Sequence, residues 1–132
     1  MLIIPHIILC AGLVGLTPKL YCENTKSDTS IDSVKSAAEH SNVLILMDFT
    51  GNKCKPCKVM KTRLKKLIPE FEGKAKVVFV DVNKERKLTK EYKIRLIPTL
   101  VFIDKTGKEV YRWQGEMSED AVKKKLQELI AE

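Results

Sequence analysis

Two cysteines, Cys54 and Cys57, stand three residues apart in the stretch Asp48-Phe49-Thr50-Gly51-Asn52-Lys53-Cys54-Lys55-Pro56-Cys57-Lys58. On a helix that spacing puts both thiols on one face, one turn apart, where they can join or separate as a disulfide. Taken alone, the pair fits thiol–disulfide exchange, metal ligation or a covalent staple of the turn. The remaining cysteines, Cys10 and Cys22, do not complete the two spaced pairs of a zinc ribbon, and neither His6 nor His40 has ligand-like spacing to the pair. A structural zinc site is therefore not expected, and His40 reads as a solvated side chain at a helix end. A staple over so short a loop would stabilise little through chain entropy. Asp48 is the other chemically informative residue. A carboxylate in an otherwise apolar strand should have its pKa raised by desolvation, whereas an Asp at an exposed strand end would not.

These residues need a strand before them and a helix after them, and the pattern supplies both. Val43 to Phe49 reads as a fully buried strand. A helix from about Cys54 to Phe71 follows, with Met60, Leu64, Leu67, Ile68 and Phe71 as its apolar stripe, a kink or shortening at Pro69, and Gly73 closing it. Ala75 to Val82 reads as a second buried strand and Glu85 to Tyr92 as a short charged helix. Thr99 to Ile103 and Glu109 to Gln114 form a hairpin turned by Asp104-Lys105-Thr106-Gly107, and Gly115 ends it. A last helix runs from Ser118, its cap, to about Ala131, with Val122, Leu126, Leu129 and Ile130 inward. Ahead of all this, Thr29 or Ser30 can cap a helix to about His40, with Ile31, Val34, Ala37 and Ala38 inward.

The order is α-β-α-β-α-β-β-α. Strand–helix–strand units imply a parallel pair with a right-handed crossover, and the hairpin adds an antiparallel pair. The expected fold class is α/β, a four-stranded mixed sheet flanked by helices on both faces.

A length of 132 residues suits one domain large enough to bury its own core. The net charge of +7 raises the question of nucleic acid. Its lysines, however, are scattered beside acidic residues, as in Lys123-Lys124-Lys125 with Glu119 and Glu128, and no Arg-rich block appears. The charge reads as a solvated surface and not as a nucleic-acid footprint. Residues 1–22 read as a signal peptide or uncleaved anchor built on the apolar run Met1 to Leu16, so that membrane anchoring would run through residues 2–16. That run has no Lys or Arg before it and no small-x-small cleavage site after it, and Lys19-Leu20-Tyr21 lacks the small residues of a lipoprotein signal before Cys22. Residues 23–29 form a polar linker and 30–132 the domain. Either reading of the leader exports the domain.

Three features together resemble the thioredoxin superfamily: the strand with Asp48-Phe49 leading into Cys54-Lys55-Pro56-Cys57-Lys58, the tripeptide Ile97-Pro98-Thr99, and the terminal hairpin with Gly115 before a helix. The interval from Cys57 to Pro98 is that of a compact thioredoxin domain without inserted helices. The resemblance covers about Ser30 to Glu132 and implies a thioredoxin fold. It also implies an activity: a thiol–disulfide oxidoreductase with no cofactor beyond its own redox-active Cys54–Cys57 disulfide, and no metal.

Within that resemblance Cys54 is the attacking thiol, since a helix N-terminus and the neighbouring Lys53, Lys55 and Lys58 favour a thiolate. Pro56 costs nothing in a first turn. Cys57, one turn in, would be the resolving thiol. Asp48 would be the buried acid that moves a proton to or from Cys57. Pro98 would be a cis proline facing the disulfide, which leaves the Ile97 backbone free to pair with an extended substrate segment.

The chain also departs from thioredoxin proper. Lys53 stands where a Trp is familiar, Thr50 where another aromatic is usual, and Lys55 where Gly is usual. Met60-Lys61-Thr62 lacks the helix proline, and Val77 to Val80 brings no lysine towards the buried acid. Lys53 and Lys55 should make the protein more oxidising than a Gly-Pro thioredoxin. The expected role is reduction of protein disulfides in a bacterial cell envelope, in the periplasm or on the outer face of the cytoplasmic membrane. The chain would act as a monomer supplied by a membrane or soluble thiol donor. Disulfide oxidation or isomerisation, or a redox-inactive peptide-binding module, are the competing roles.

Overall fold

A computed structural model describes residue 40 and residues 42–132. The expected leader, linker and first helix, with His6, Cys10 and Cys22, lie outside the described residues. His40, which the sequence reading puts at the end of that helix, is exposed.

The run after Val43 forms strand β1, Leu44–Thr50, with every residue up to Phe49 buried. A strand apolar on both faces has no side to offer solvent and belongs in the middle of a sheet. Accordingly, β1 pairs in parallel with β2, Ala75–Asp81, and antiparallel with β3, Thr99–Ile103, beyond which lies β4, Glu109–Gln114. The sheet order is β2-β1-β3-β4. Helix α1, Lys55–Leu67, follows β1; α2, Arg86–Glu91, follows β2; and α3, Glu119–Ala131, ends the chain. This is the four-stranded mixed sheet with helices on both faces that the residue pattern implied, and the thioredoxin fold expected from the resemblance.

Alternation along β1 divides the core in two. Leu44 and Leu46, with Leu100 and Phe102, pack against Met60, Leu64 and Leu67 of α1 and Val122 and Leu126 of α3. Ile45, Met47 and Phe49, with Val101 and Ile103, pack against Leu88 and Tyr92. Each such side chain contributes about 1.5–3 kcal/mol on full burial, so β1 is anchored from both faces.

Pro69 shortens the first helix as its chemistry requires. It has no N–H to offer the Lys65 carbonyl, so α1 stops at Leu67 and continues as a 3-10 turn over Ile68–Phe71. Two expectations need correction. Ile68, placed on the inner stripe, is 40% exposed because the tighter turn rotates it away from the sheet. β2, read as a buried strand, is an edge strand in which only Val80 is fully buried. The rest of its apolar run covers the sheet margin and is half-buried.

Two side chains fix the connections near the site. Ser118 caps α3, its Oγ accepting from the Ala121 N–H at 3.2 Å. Arg63 ties α1 to the loop before α3, donating to the Met117 carbonyl at 2.9 Å and pairing with Glu116 at 3.3 Å.

Candidate active site

The site lies where β1 runs out and α1 begins. Cys54 is the N-cap of α1, in extended backbone, and its Sγ accepts a hydrogen bond from the Cys57 N–H at 3.2 Å. A Cys at this position takes the place of the usual Ser or Asp cap, so its sulfur receives one of the helix's unpaired donors. Pro56 lies in the first turn, where its missing N–H leaves no donor unmatched. Cys54 and Cys57 are joined as a disulfide with their Cα atoms 5.2 Å apart. Cys57 is fully buried, whereas Cys54 is partly exposed. Of the two sulfurs, Cys54 alone is open to a second molecule.

The Ile97-Pro98-Thr99 loop faces this disulfide. The Cys54 Sγ lies 3.9 Å from the Ile97 carbonyl oxygen, and the Ile97–Pro98 peptide bond is cis. Two hydrogen bonds hold the loop in place. The Thr99 hydroxyl donates to the Leu96 carbonyl at 2.7 Å, and the Gly115 N–H donates to the Pro98 carbonyl at 2.8 Å. The loop and the turn before α1 meet closely: a Cβ on Gly51 would lie 2.9 Å from Ile97 Cδ1. Gly51, Asn52, Lys53, Cys54, Asn83 and Ile97 line one open groove. Lys53, Lys55 and Lys58 are exposed around it.

Asp48 is fully buried in β1, opposite Phe79 of β2 and Leu100 of β3. By the alternation of the strand its side chain faces α1, the helix that carries Cys57. Neither carboxylate oxygen has a hydrogen-bond partner among the described residues. Burial pushes its pKa up from 3.8 to about 7, against a smaller lowering by the Lys61 ammonium. At neutral pH the group is therefore divided between its two forms and can both take up and release a proton.

The sequence marks position 61 only by its missing proline and does not single out Lys61 as a site residue. The cation near the buried acid nevertheless comes from there, on α1, four residues after Cys57 on the same side of the helix. Its Nζ lies 5.2 Å from the centroid of Phe79, the residue that pairs with Asp48. The i,i+4 spacing from Cys57 is the signal that points to it. Gly51 and Thr99 are positioning residues that sequence reasoning misses, because their roles depend on contacts of a loop far along the chain.

The thioredoxin family model matches residues 25–128. Thioredoxin-1 of Drosophila yakuba is 40% identical over 75 residues, spanning 57% of this chain and 70% of that protein. The thioredoxin of Haemophilus influenzae is 38% identical over 83 residues, spanning 63% and 77%. Among solved structures, the germline-specific thioredoxin Deadhead of Drosophila melanogaster aligns with a TM-score of 0.66 at 29% identity, covering 80% of this chain and 99% of that one. A mutant thioredoxin of Halobacterium salinarum aligns with a TM-score of 0.67 at 26% identity, covering 75% and 84%.

Proposed function

Because this chain belongs to the thioredoxin family and carries a Cys54–Cys57 disulfide, we propose that it reduces disulfides of exported proteins, with Cys54 as the attacking thiol. The family makes it a thiol–disulfide oxidoreductase whose redox group is its own cysteine pair, with no cofactor. The observation that carries the direction of attack is the unequal exposure of the two sulfurs, Cys54 open and Cys57 buried.

In the reduced protein the Cys54 thiolate attacks one sulfur of the substrate disulfide. A mixed disulfide forms and one substrate thiolate leaves, taking a proton. The Cys57 N–H, which donates to Cys54 Sγ at 3.2 Å, stabilises the attacking anion. Cys57 then loses its proton to the Asp48 carboxylate and attacks Cys54 Sγ. This forms the Cys54–Cys57 disulfide and frees the second substrate thiolate. Two electrons pass to the substrate, and an external dithiol restores the protein.

Export is supported by the apolar run within residues 2–16 and by the linker that follows it. It would place the protein in the periplasm or on the outer face of the cytoplasmic membrane. There a membrane or soluble thiol donor would have to supply the electrons, and the protein would act as a monomer on protein disulfides. Oxidation of substrates is the second reading. It is favoured by Lys53, Lys55 and Lys58, which stabilise the Cys54 thiolate and so the reduced protein. Insulin reduction with dithiothreitol tests the activity. Turnover by the wild-type protein that is lost in Cys54→Ser supports it, and no turnover by the wild type removes it.

A further inference from the structure

The net positive charge is unevenly placed with respect to the disulfide. The two segments that build the site, residues 49–69 and 92–103, contain seven and two cations respectively and no carboxylate. Lys53, Lys55 and Lys58 stand exposed beside Cys54, and Arg95 is exposed two residues before Ile97. None of these four is in an ion pair among the described residues. Outside these two segments the cations stand among carboxylates in the sequence, and some are paired, Lys123 to Glu70, Lys125 to Glu128 and Arg112 to Glu109, as is Lys66 to Glu119 in the last turn of α1.

Two carboxylates lie nearby in the chain, one at the end of β2 and one before α3. Asp81 accepts from the Asn83 N–H at 2.9 Å, and Glu116 pairs with Arg63 at 3.3 Å. Within the two segments themselves, the face that a substrate must approach offers cations and no carboxylate. Leu96, 61% exposed beside Arg95, adds an apolar contact on the same rim.

We propose that this face selects disulfides flanked by acidic residues, so that a substrate presents Asp or Glu beside the cysteine that Cys54 attacks. The proposal rests on the reading of the chain as a disulfide reductase and names the substrate class of that same site. Each exposed pair contributes little by itself. Several like charges around one mouth act together on the encounter rate, by about tenfold or more at low salt. They also exclude: a basic flank would meet the like charges of Lys53, Lys55, Lys58 and Arg95.

The test uses two disulfide-bonded peptides that differ only in carrying Glu or Lys at the positions flanking the cysteines. The expected kcat/KM is about tenfold higher for the Glu peptide at low salt. It should fall towards parity near 1 M salt, where the screening length is about 3 Å. The double variant K58E/R95E should lose or invert that ratio. K105E/K108E, which removes the same charge from the hairpin turn at the opposite end of the sheet, should retain it. A changed redox potential would move both peptides alike, so the ratio isolates docking.

Equal rates for the two peptides at low salt overturn the proposal. A preference that K105E/K108E abolishes as well as K58E/R95E assigns it to net charge and overturns it too. Tight binding of duplex DNA that is lost in K58E/R95E, without any peptide preference, would assign the face to nucleic acid instead. If neither peptide is reduced by the wild type, the reductase reading itself fails and the proposal with it.

Discussion

Lys61 of α1 lies over the ring of Phe79, the direct strand partner of Asp48, and so brings a cation to the edge of the only buried carboxylate among the described residues. The charge arrives from the helix that carries Cys57, not from the neighbouring strand. Movement of α1 relative to β1 would therefore change the acid's environment and the position of Cys57 together.

Asp48 costs stability at neutral pH. Its folded pKa of about 7 lies above its unfolded value of 3.8, so the folded state binds the proton more tightly. The stabilising effect of that proton is complete below about pH 4 and is lost as pH rises through 7, by up to about 4 kcal/mol. Asp48→Asn should accordingly raise stability near pH 8 by a few kcal/mol and flatten the pH dependence between about 4 and 8. Urea unfolding across that range measures both. The same variant should slow disulfide reduction by at least about tenfold, because a positioned base is removed.

Lys61→Met should raise the Asp48 pKa further, since it removes the only lowering influence on it. The apparent midpoint in the pH profile of insulin reduction should move upward, with little change in fold stability at about pH 5, where Asp48 is protonated with or without the cation. A midpoint that did not move would show that Lys61 does not act on Asp48.

Gly51→Val should damage binding before it damages the cysteine chemistry. A Cβ there already lies 2.9 Å from Ile97 Cδ1, and a branched side chain must displace that loop. Overpacking of this kind costs about 1–3 kcal/mol. The expected result is a raised KM for a protein substrate with reactivity towards a small thiol reagent nearly unchanged.

Lys55→Gly should make the protein more reducing. An exposed cation at a helix N-terminus works against the helix dipole but favours the adjacent thiolate, an effect of about 0.3–1 kcal/mol. At about 30 mV per 1.4 kcal/mol this corresponds to a fall of about 5–20 mV. Equilibration with a glutathione buffer measures it, and the wild-type potential should lie above the roughly −270 mV of thioredoxin.

The fold was legible from residues whose meaning is local. Asp104-Lys105-Thr106-Gly107 marked its hairpin because Asp104 Oδ1 accepts from the Thr106 and Lys108 N–H groups at 2.8 and 3.0 Å within the same turn. Cys54-Lys55-Pro56-Cys57 marked a helix start because its cap and its proline act within one turn. What depended on distant partners was not legible. The apolar run of β2 looks the same in an edge strand as in a central one, and Ile68 fits the helical period until Pro69 tightens the turn. Lys61 reads as one more surface lysine until β1 and β2 pair Asp48 with Phe79 beneath it.

In the proposed mechanism Cys54 attacks and Cys57 resolves. Incubating the reduced Cys57→Ala protein with a disulfide-bonded substrate, then mapping the adduct by mass spectrometry, tests it most directly. The expected product is a stable mixed disulfide at Cys54 that dithiothreitol releases, with no such adduct in Cys54→Ala. An adduct that forms at Cys57 in Cys54→Ala, with none at Cys54 in Cys57→Ala, would contradict it.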